Sequence, residues 1–138
     1  MPDNDIKIII ADDDSTTCSV LRLLLREQGF SVIGEARDGE KAVHFCLLHQ
    51  PDIAFLDIDM PKLSGHDAAR KIKESAPDVG IIMVSALPTL ENVQKSLEAG
   101  AAAFVVKPFN ATKVMDAIGQ CVRRKKDGRQ NEDRRSQS

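Results

Sequence analysis

Short apolar runs alternate five times with longer amphipathic stretches along this chain, and this alternation restricts the fold more than any other feature. The apolar runs are rich in β-branched residues and are apolar at consecutive positions. Such runs are typical of strands that are buried on both faces of a parallel sheet. Strands and helices in strict alternation therefore predict an α/β fold with a parallel sheet and right-handed crossovers.

Caps and turn residues mark where each predicted element begins and ends. Asp14 or Ser15 can cap the first helix and Asn110 the last, whereas Gly29 and Gly100 end helices. The predicted strands are residues 7–11, 31–35, 52–57, 80–85 and 103–106, and the predicted helices are residues 15–28, 39–49, 65–75, 90–99 and 111–125.

The chain has 138 residues, a length that fits one compact domain. We predict this domain over residues 1–125 and a charged, disordered tail over residues 126–138, because the tail has nothing to bury. No apolar run approaches the roughly 18 residues of a membrane span, and the acidic start is not a secretory signal. Three widely spaced cysteines, Cys18, Cys46 and Cys121, are typical of reduced thiols, so we expect a cytoplasmic protein with no membrane partner.

The charge is unevenly distributed along the chain. Residues 123–138 hold seven Lys or Arg against three Asp or Glu, a net of +4, whereas residues 1–122 hold twelve against eighteen, a net of −6. An acidic body without Trp or Tyr argues against direct binding of nucleic acid. We interpret the basic run at residues 123–126 as a solvated helix end that complements the helix dipole.

Polar side chains follow four of the predicted strands. Asp12 and Asp13 follow the first, Asp57 ends the third, Ser85 ends the fourth and Lys107 follows the fifth. In open parallel sheets the carboxyl ends of the strands meet at one edge, where ligands bind. Crowded carboxylates require a proton or a cation among them, and an oxygen-only donor set suits Mg²⁺. These residue types therefore predict a metal-assisted phosphate site with a carboxylate nucleophile.

Four motifs of the sequence, each at a predicted strand end, resemble a known family. They are Asp12-Asp13, the segment at residues 57–65 with Met60-Pro61 and Gly65, the pair Ser85-Ala86, and residues 104–109 with Lys107-Pro108. Over about residues 6–124 the chain resembles the receiver domain of two-component response regulators, of the single-domain chemotaxis type. This resemblance implies a flavodoxin-like, doubly wound (βα)5 fold with strand order 2-1-3-4-5, an order for which a chemotaxis receiver is itself a standard example.

The resemblance also implies roles for the acidic residues. Asp57 would be the phosphoacceptor, supplied by a sensor histidine kinase or a histidine phosphotransfer protein. Asp13 and Asp57 would ligate Mg²⁺ directly, the backbone carbonyl of Asp59 would add another oxygen, and Asp12 would act mainly through water. Such a protein promotes its own phosphorylation and dephosphorylation but is not an enzyme in the turnover sense.

The remaining motif residues are implied to respond to the phosphoryl group. Lys107 would pair with the carboxylates and then with the phosphoryl group, aimed by a cis bond to Pro108. Ser85 would move inward and let Phe104 turn inward, which changes the surface of the fourth helix, the fifth strand and the fifth helix. A downstream protein target would bind that surface, and the chain would be a monomer or a phosphorylation-dependent dimer.

Three positions depart from the family pattern. Phe104 stands where Tyr is frequent and has no hydroxyl group. Asp59 and Leu87 occupy positions that tune dephosphorylation, where a second carboxylate and an apolar side chain would hinder attacking water. We therefore expect a phosphoryl lifetime longer than in fast chemotaxis switches.

The sequence leaves other functions open beside this interpretation. The alternatives are a phosphorelay intermediate, a receiver fragment of a longer DNA-binding regulator, and, from another class, an aspartyl-phosphate-forming phosphatase. We interpret His44, His49 and His66 as surface histidines, since His44 and His49 lie off the i,i+4 spacing of a helical ligand pair. Cys18, early in the first helix, could be exposed and redox-active, but an ordinary thiol is the favoured interpretation.

Overall fold

The five apolar runs form one parallel sheet. The computed structural model describes the backbone of residues 6–136 and the side chains of residues 6–124. The strands are β1 Lys7–Ala11, β2 Ser31–Ala36, β3 Ile53–Asp57, β4 Gly80–Ser85 and β5 Ala103–Val106, and their spatial order is β2-β1-β3-β4-β5. All four neighbouring pairs are parallel. The predicted fold class and strand order are confirmed.

Five helices connect and follow the strands: α1 Ser15–Glu27, α2 Gly39–His49, α3 Gly65–Ser75, α4 Leu90–Glu98 and α5 Ala111–Ser136. Asp14 caps α1 by accepting a hydrogen bond from the Thr16 amide at 3.1 Å, as predicted. The Asn110 side chain accepts one from the Lys113 amide at 2.9 Å and so caps α5. Both caps satisfy amides that have no partner within the helix.

The sheet separates two layers of apolar core. Ile8 and Ile10 face the layer formed with α1 and α5, whereas Ile9 and Ala11 face the layer formed with α2, α3 and α4. This alternation follows from the period of two in a strand. β3 lies in the centre of the sheet and is buried at every residue, so the carboxylate at its end stands on a fully packed strand.

Helix α5 is longer than the sequence pattern predicted. Its backbone is helical to Ser136, so the predicted helix end near residue 125 is wrong. Residues 125–136 hold no apolar residue, so the hydrophobic pattern gives no sign of a helix there, and seven of the twelve are the helix formers Lys, Arg, Gln and Glu. Residues 137 and 138 lie outside the described residues, and the division into a domain over 1–125 and a tail over 126–138 stays a prediction.

Cys18 occupies the interior and not the surface. It is fully buried in the layer beneath α1, and its thiol lies 3.5 Å from the Asp12 carbonyl oxygen. Burial raises the pKa of this thiol to about 11. The exposed, redox-active alternative is therefore wrong, because a buried thiol remains protonated and inaccessible.

Among the described residues, no helix has the length and apolar character that crossing a bilayer requires.

Candidate functional site

Three aspartates meet at the carboxyl edge of the sheet, where the sequence pattern predicted them. Asp12 and Asp13 follow β1, and Asp57 ends the neighbouring strand β3. One carboxylate oxygen from each residue lies within 4.8 Å of the other two. Asp12 and Asp57 are only 2% and 6% exposed, whereas Asp13 faces solvent. The edge therefore holds two buried carboxylates and opens to water through a third.

Lys107 brings a positive charge to the same cluster. Its nitrogen Nζ lies 2.8 Å from Oδ2 of Asp12 and 3.4 Å from Oδ2 of Asp57. The Lys107 amide also donates to the Ser85 carbonyl at 2.9 Å, which fixes the residue beside the end of β4. The peptide bond from Lys107 to Pro108 is cis, as the family resemblance predicted.

Burial and charge together set the protonation of these groups. Burial, and after it the negative charge of Asp12, raise the pKa of Asp57 to about 6 against the opposing effect of Lys107. For Lys107, burial acts to lower the pKa, but the hydrogen bond to Asp12 and the charges of both carboxylates outweigh it and raise the pKa. Lys107 therefore stays charged, and the acids repel each other at neutral pH.

The donor set fits a hard divalent cation. Three carboxylates face one lysine, so the cluster carries an excess of negative charge when all its groups are ionised. Its donors are oxygens, without His or Cys, which is the ligand preference of Mg²⁺. A cation among Asp12, Asp13 and Asp57 would relieve the repulsion that raises the pKa of Asp57.

Asp59 and Asp14 lie beside the cluster but contribute differently. The Asp59 amide donates to Oδ1 of Asp57 at 3.3 Å, which places the Asp59 backbone next to the Asp57 carboxylate while its side chain is exposed. A ligand role for the Asp59 carbonyl stays a prediction. Asp14 accepts bonds from the Thr16 amide and the Thr17 hydroxyl, so its role is that of a helix cap.

Gly65 lets helix α3 begin directly against the end of strand β3. Its amide donates to the Ile58 carbonyl at 2.8 Å. A Cβ at this position would lie 2.3 Å from the Asp57 carbonyl oxygen, which is closer than van der Waals contact permits. The sequence pattern indicated only a turn here, since the approach of α3 to Asp57 is a tertiary contact.

Ser85 and Phe104 lie near the cluster in defined positions. Ser85 is buried at the end of β4, and its hydroxyl accepts from the Leu87 amide at 3.0 Å and donates to the Leu87 carbonyl at 3.4 Å. The hydroxyl is thus bonded within its own loop. Phe104 is half-buried on β5 and packs against the core layer on the α4 side. The switch roles of both residues stay predictions.

His66 was predicted on the surface, and the structure places it in the interior. It is 7% exposed, and its Nε2 lies 3.0 Å from the hydroxyl of Ser96 on α4. The error arose because a polar residue in the first turn of a helix usually faces water, whereas α3 turns this face onto α4. Ser96 was the available signal in the sequence, because it is a polar residue at the inward position of α4 and so needs a polar partner.

The chain is similar to proteins of one known family. Residues 8–119 match the response regulator receiver domain family. Over 120 residues the chain is 38% identical to the transcriptional regulatory protein PdtaR of Mycobacterium tuberculosis, covering 86% of this chain and 57% of PdtaR. Over 114 residues it is 37% identical to the chemotaxis protein CheY of Bacillus subtilis, covering 83% of this chain and 95% of CheY. The chain thus spans a little over half of the length of PdtaR and nearly all of this CheY.

A solved structure shares both fold and sequence with the chain. It is CheY of Borrelia burgdorferi in a complex with CheX, BeF₃ and Mg²⁺, which superposes with a TM-score of 0.79 at 36% identity. The superposition covers 82% of this chain and 86% of that one. Because the identity is 36% and the TM-score is 0.79, the chain resembles this CheY in its sequence as well as in its fold.

Proposed function

This chain belongs to the response regulator receiver domain family, and on that premise we propose that it is a phosphorylation-dependent signalling switch of a two-component system. The observation that carries the proposal is the carboxylate of Asp57 at the end of a fully buried strand, beside Asp12, Asp13 and Lys107. A buried carboxylate with a raised pKa is costly for the fold, which favours a chemical role over a structural one.

Asp57 would act as the phosphoacceptor. Its carboxylate oxygen attacks the phosphorus of a phosphohistidine, a P–O bond forms as the P–N bond breaks, and the imidazole leaves with a proton from its surroundings. With a small acyl phosphate the same attack breaks a P–O bond and releases the carboxylate. Lys107 would shift from the carboxylates to a phosphoryl oxygen, where its charge offsets the charge gathering on phosphorus.

Mg²⁺ is the metal that we propose for the cluster. Receiver domains bind it at a cluster of this kind, and Asp13 and Asp57 would hold it directly, with the Asp59 carbonyl as a further donor and Asp12 acting through water. When bound, it neutralises charge on the phosphoryl oxygens during transfer. The raised pKa of Asp57 and the excess of carboxylates support the proposal, since both reflect crowded negative charge that a cation would balance.

A partner that carries the phosphohistidine would dock beside Lys107. A groove of about 370 Å³ adjoins the site and is lined by Thr16, Thr17, Val20, Ala86, Lys107, Pro108 and Phe109. Val20 is 46% exposed on α1 and gives the groove an apolar wall. An apolar groove next to the acceptor suits a helix of a sensor kinase or of a histidine phosphotransfer protein.

The output would be a changed surface for a downstream protein. Ser85 and Phe104 would transmit the change from the acceptor edge to α4, β5 and α5. The exposed Leu87, Leu90 and Leu97 offer apolar surface there. In the Borrelia burgdorferi structure CheY is bound to CheX, so a family member does bind a protein. We propose a protein target for this chain too, with a monomeric or phosphorylation-dependent dimeric state and a cytoplasmic location.

The alternatives differ in the step that comes after phosphorylation. A phosphorelay intermediate would return the phosphoryl group to a histidine, and a receiver of a longer regulator would act on an attached output domain. The 57% coverage of PdtaR is compatible with the second arrangement. No described feature favours a phosphatase, because Asp57 ends the third strand and Asp12-Asp13 would have no task in such an enzyme.

The decisive experiment is the intact mass of the protein after incubation with acetyl phosphate and Mg²⁺. We expect one added phosphoryl group in the wild-type protein, and none in Asp57→Asn or without Mg²⁺. The chain has no Trp, so mass serves better than fluorescence quenching. An unmodified wild-type protein that also fails to bind beryllofluoride would overturn the proposal and point to a constitutive interaction module.

A further inference from the structure

Helix α4 is attached to the body through a polar residue. Ser96 is its single buried residue, at 1% exposed, whereas Leu90 and Leu97 are 74% and 52% exposed. Asn92 and Val93 are half-buried. Because α4 hides so little apolar surface, hydrogen bonds at Ser96 provide an unusually large share of what fixes its position.

Ser96 is bonded to His66 across the gap between α4 and α3. Its hydroxyl lies 3.0 Å from Nε2 of His66 and donates to the Asn92 carbonyl at 2.7 Å. A hydroxyl has one proton, and Asn92 receives it. Nε2 of His66 is therefore the donor to Ser96. Both residues are buried, so losing this bond would leave a buried polar group without a partner.

The same hydrogen bonds continue to the loop that holds Ser85. The side-chain amide of Asn92 donates to the Leu87 carbonyl at 2.9 Å. The Leu87 backbone amide donates to the Ser85 hydroxyl at 3.0 Å. An unbroken series of contacts thus runs from His66 through Ser96, Asn92 and Leu87 to the hydroxyl at the end of β4.

The other end of this series is anchored at the acceptor strand. Gly65, directly before His66, donates to Ile58 and packs against the Asp57 carbonyl with no room for a side chain. The backbone at His66 therefore cannot shift without moving against Asp57. His66 connects two segments that flank the acceptor, one after β3 and one after β4.

We propose that His66 is a positioning residue that holds α4 and the loop after β4 in the resting arrangement, in which Ser85 is bonded to Leu87 and not to a phosphoryl group. This inference rests on the proposed function, and it adds a control on the acceptor that lies outside the acidic cluster. Breaking the bond between His66 and Ser96 removes the contact that ties Ser96, and with it Asn92 and Leu87, to α3. Helix α4 and the loop after β4 then move more readily, so Ser85 reaches the phosphoryl group more readily. The resting state is then less favoured relative to the phosphorylated one.

The test compares rates of phosphorylation by acetyl phosphate with Mg²⁺, followed by intact mass. His66→Leu removes the donor and Ser96→Ala removes the acceptor, and each is expected to raise the rate about threefold to tenfold. The double variant is expected to be accelerated by less than the product of the two single effects, because both changes remove the bond between His66 and Ser96, while Ser96→Ala also removes the bond to the Asn92 carbonyl. His66→Gln keeps a nitrogen donor near the position of Nε2 and is expected to restore a rate within about twofold of wild type.

A control separates this effect from a general loss of stability. Ile72→Val removes a methylene from a fully buried residue on the same helix, α3, without touching the bonds to α4. It is expected to lower the urea midpoint and to leave the phosphorylation rate unchanged. Ser96→Ala is the smallest change in the set and carries the test by itself if His66→Leu does not fold.

The outcomes distinguish the inference from the function on which it rests. A wild-type protein that is phosphorylated, with both single variants at the same rate, overturns the role of His66 alone. Rates that multiply in the double variant, or an acceleration in Ile72→Val, overturn it too. A wild-type protein that takes no phosphoryl group overturns the proposed function, and the role of His66 in phosphorylation falls with it.

Discussion

The side-chain nitrogen of Lys107 lies 2.8 Å from Oδ2 of Asp12, although 95 positions separate the two residues in the chain. The same nitrogen is 3.4 Å from Oδ2 of Asp57, so it lies nearer to Asp12 than to the proposed acceptor. One cation is thus shared by two buried carboxylates at the ends of neighbouring strands. Any cation that enters the cluster meets both the attraction of the acids and the repulsion of Lys107.

Removing the charge of Lys107 is expected to change two properties in opposite directions. In Lys107→Met the repulsion on an entering cation is lost, so Mg²⁺ should bind about threefold to tenfold more tightly. Phosphorylation by acetyl phosphate should slow by at least about tenfold, because no cation from the chain meets the phosphoryl oxygens. Calorimetric titration with Mg²⁺ and intact mass measure the two effects.

Lys113→Met is the matched control for that prediction. Lys113 is an exposed lysine in the first turn of α5, and its loss changes the net charge by the same amount. It should leave Mg²⁺ affinity and phosphorylation rate close to those of the wild type. Weaker Mg²⁺ binding in Lys107→Met would contradict the electrostatic argument.

Gly65→Ala is expected to destabilise the fold by about 2 kcal/mol or more, because backbone and not a flexible side chain occupies the space of the new methyl group. Urea unfolding measures the loss. Gly119→Ala provides the contrast, since its Cβ would meet only the end of the Arg123 side chain, at 3.4 Å, within helix α5. There the gain in helix propensity should stabilise the protein by up to about 1 kcal/mol. Equal effects at the two glycines would refute the close approach of α3 to Asp57.

The stability of the protein is expected to depend on pH through His66. Burial lowers the pKa of its imidazole, so the folded protein keeps it neutral where the unfolded chain, with a pKa of about 6.5, takes up a proton. This contribution to stability is complete above about pH 6.5 and declines as the pH falls below that value. His66→Gln cannot titrate, so it should lose less stability than the wild type between about pH 7.5 and about pH 5.5.

Urea unfolding at the two pH values tests this difference between the proteins. The raised pKa of Asp57 has the opposite sign, since a folded state that holds a proton more tightly gains stability as the pH falls through about 6. That contribution is common to both proteins and cancels in the comparison. Parallel pH dependence in the wild type and in His66→Gln would show that His66 does not titrate on unfolding.

The phosphorylated protein is expected to lose its phosphoryl group slowly. The side chains of Asp59 and Leu87 are exposed, and they stand two residues after Asp57 and two residues after Ser85. The family resemblance implies that a carboxylate and an apolar group at these positions hinder an attacking water. Asp59→Asn removes the charge and should shorten the lifetime severalfold at an unchanged Mg²⁺ concentration. The decay of the added mass after removal of acetyl phosphate measures it, and a half-life of seconds in the wild type would contradict the expectation.

Local patterns predicted most of the fold and the positions of the acidic cluster. A strand that is apolar at every position, such as Ile8–Ile10, has to be covered on both faces. The run therefore indicates a parallel sheet. Asp12, Asp57, Ser85 and Lys107 each lie at the end of such a run, and parallel strands bring their ends to one edge. Composition was less informative at α5, where strong helix formers extend the helix to Ser136 without an apolar face to reveal it.

The sequence by itself determined which residues stand at the ends of the strands, because the period and the breaks of the apolar runs are properties of the chain. Only the tertiary structure decided that Lys107 lies nearer to Asp12 than to Asp57, that Gly65 lies against the Asp57 backbone, and that His66 is buried against Ser96. These three facts depend on how α3, α4 and the loop after β5 pack together. Packing distances between helices depend on contacts between residues that are far apart in the chain, and a local sequence pattern does not predict them.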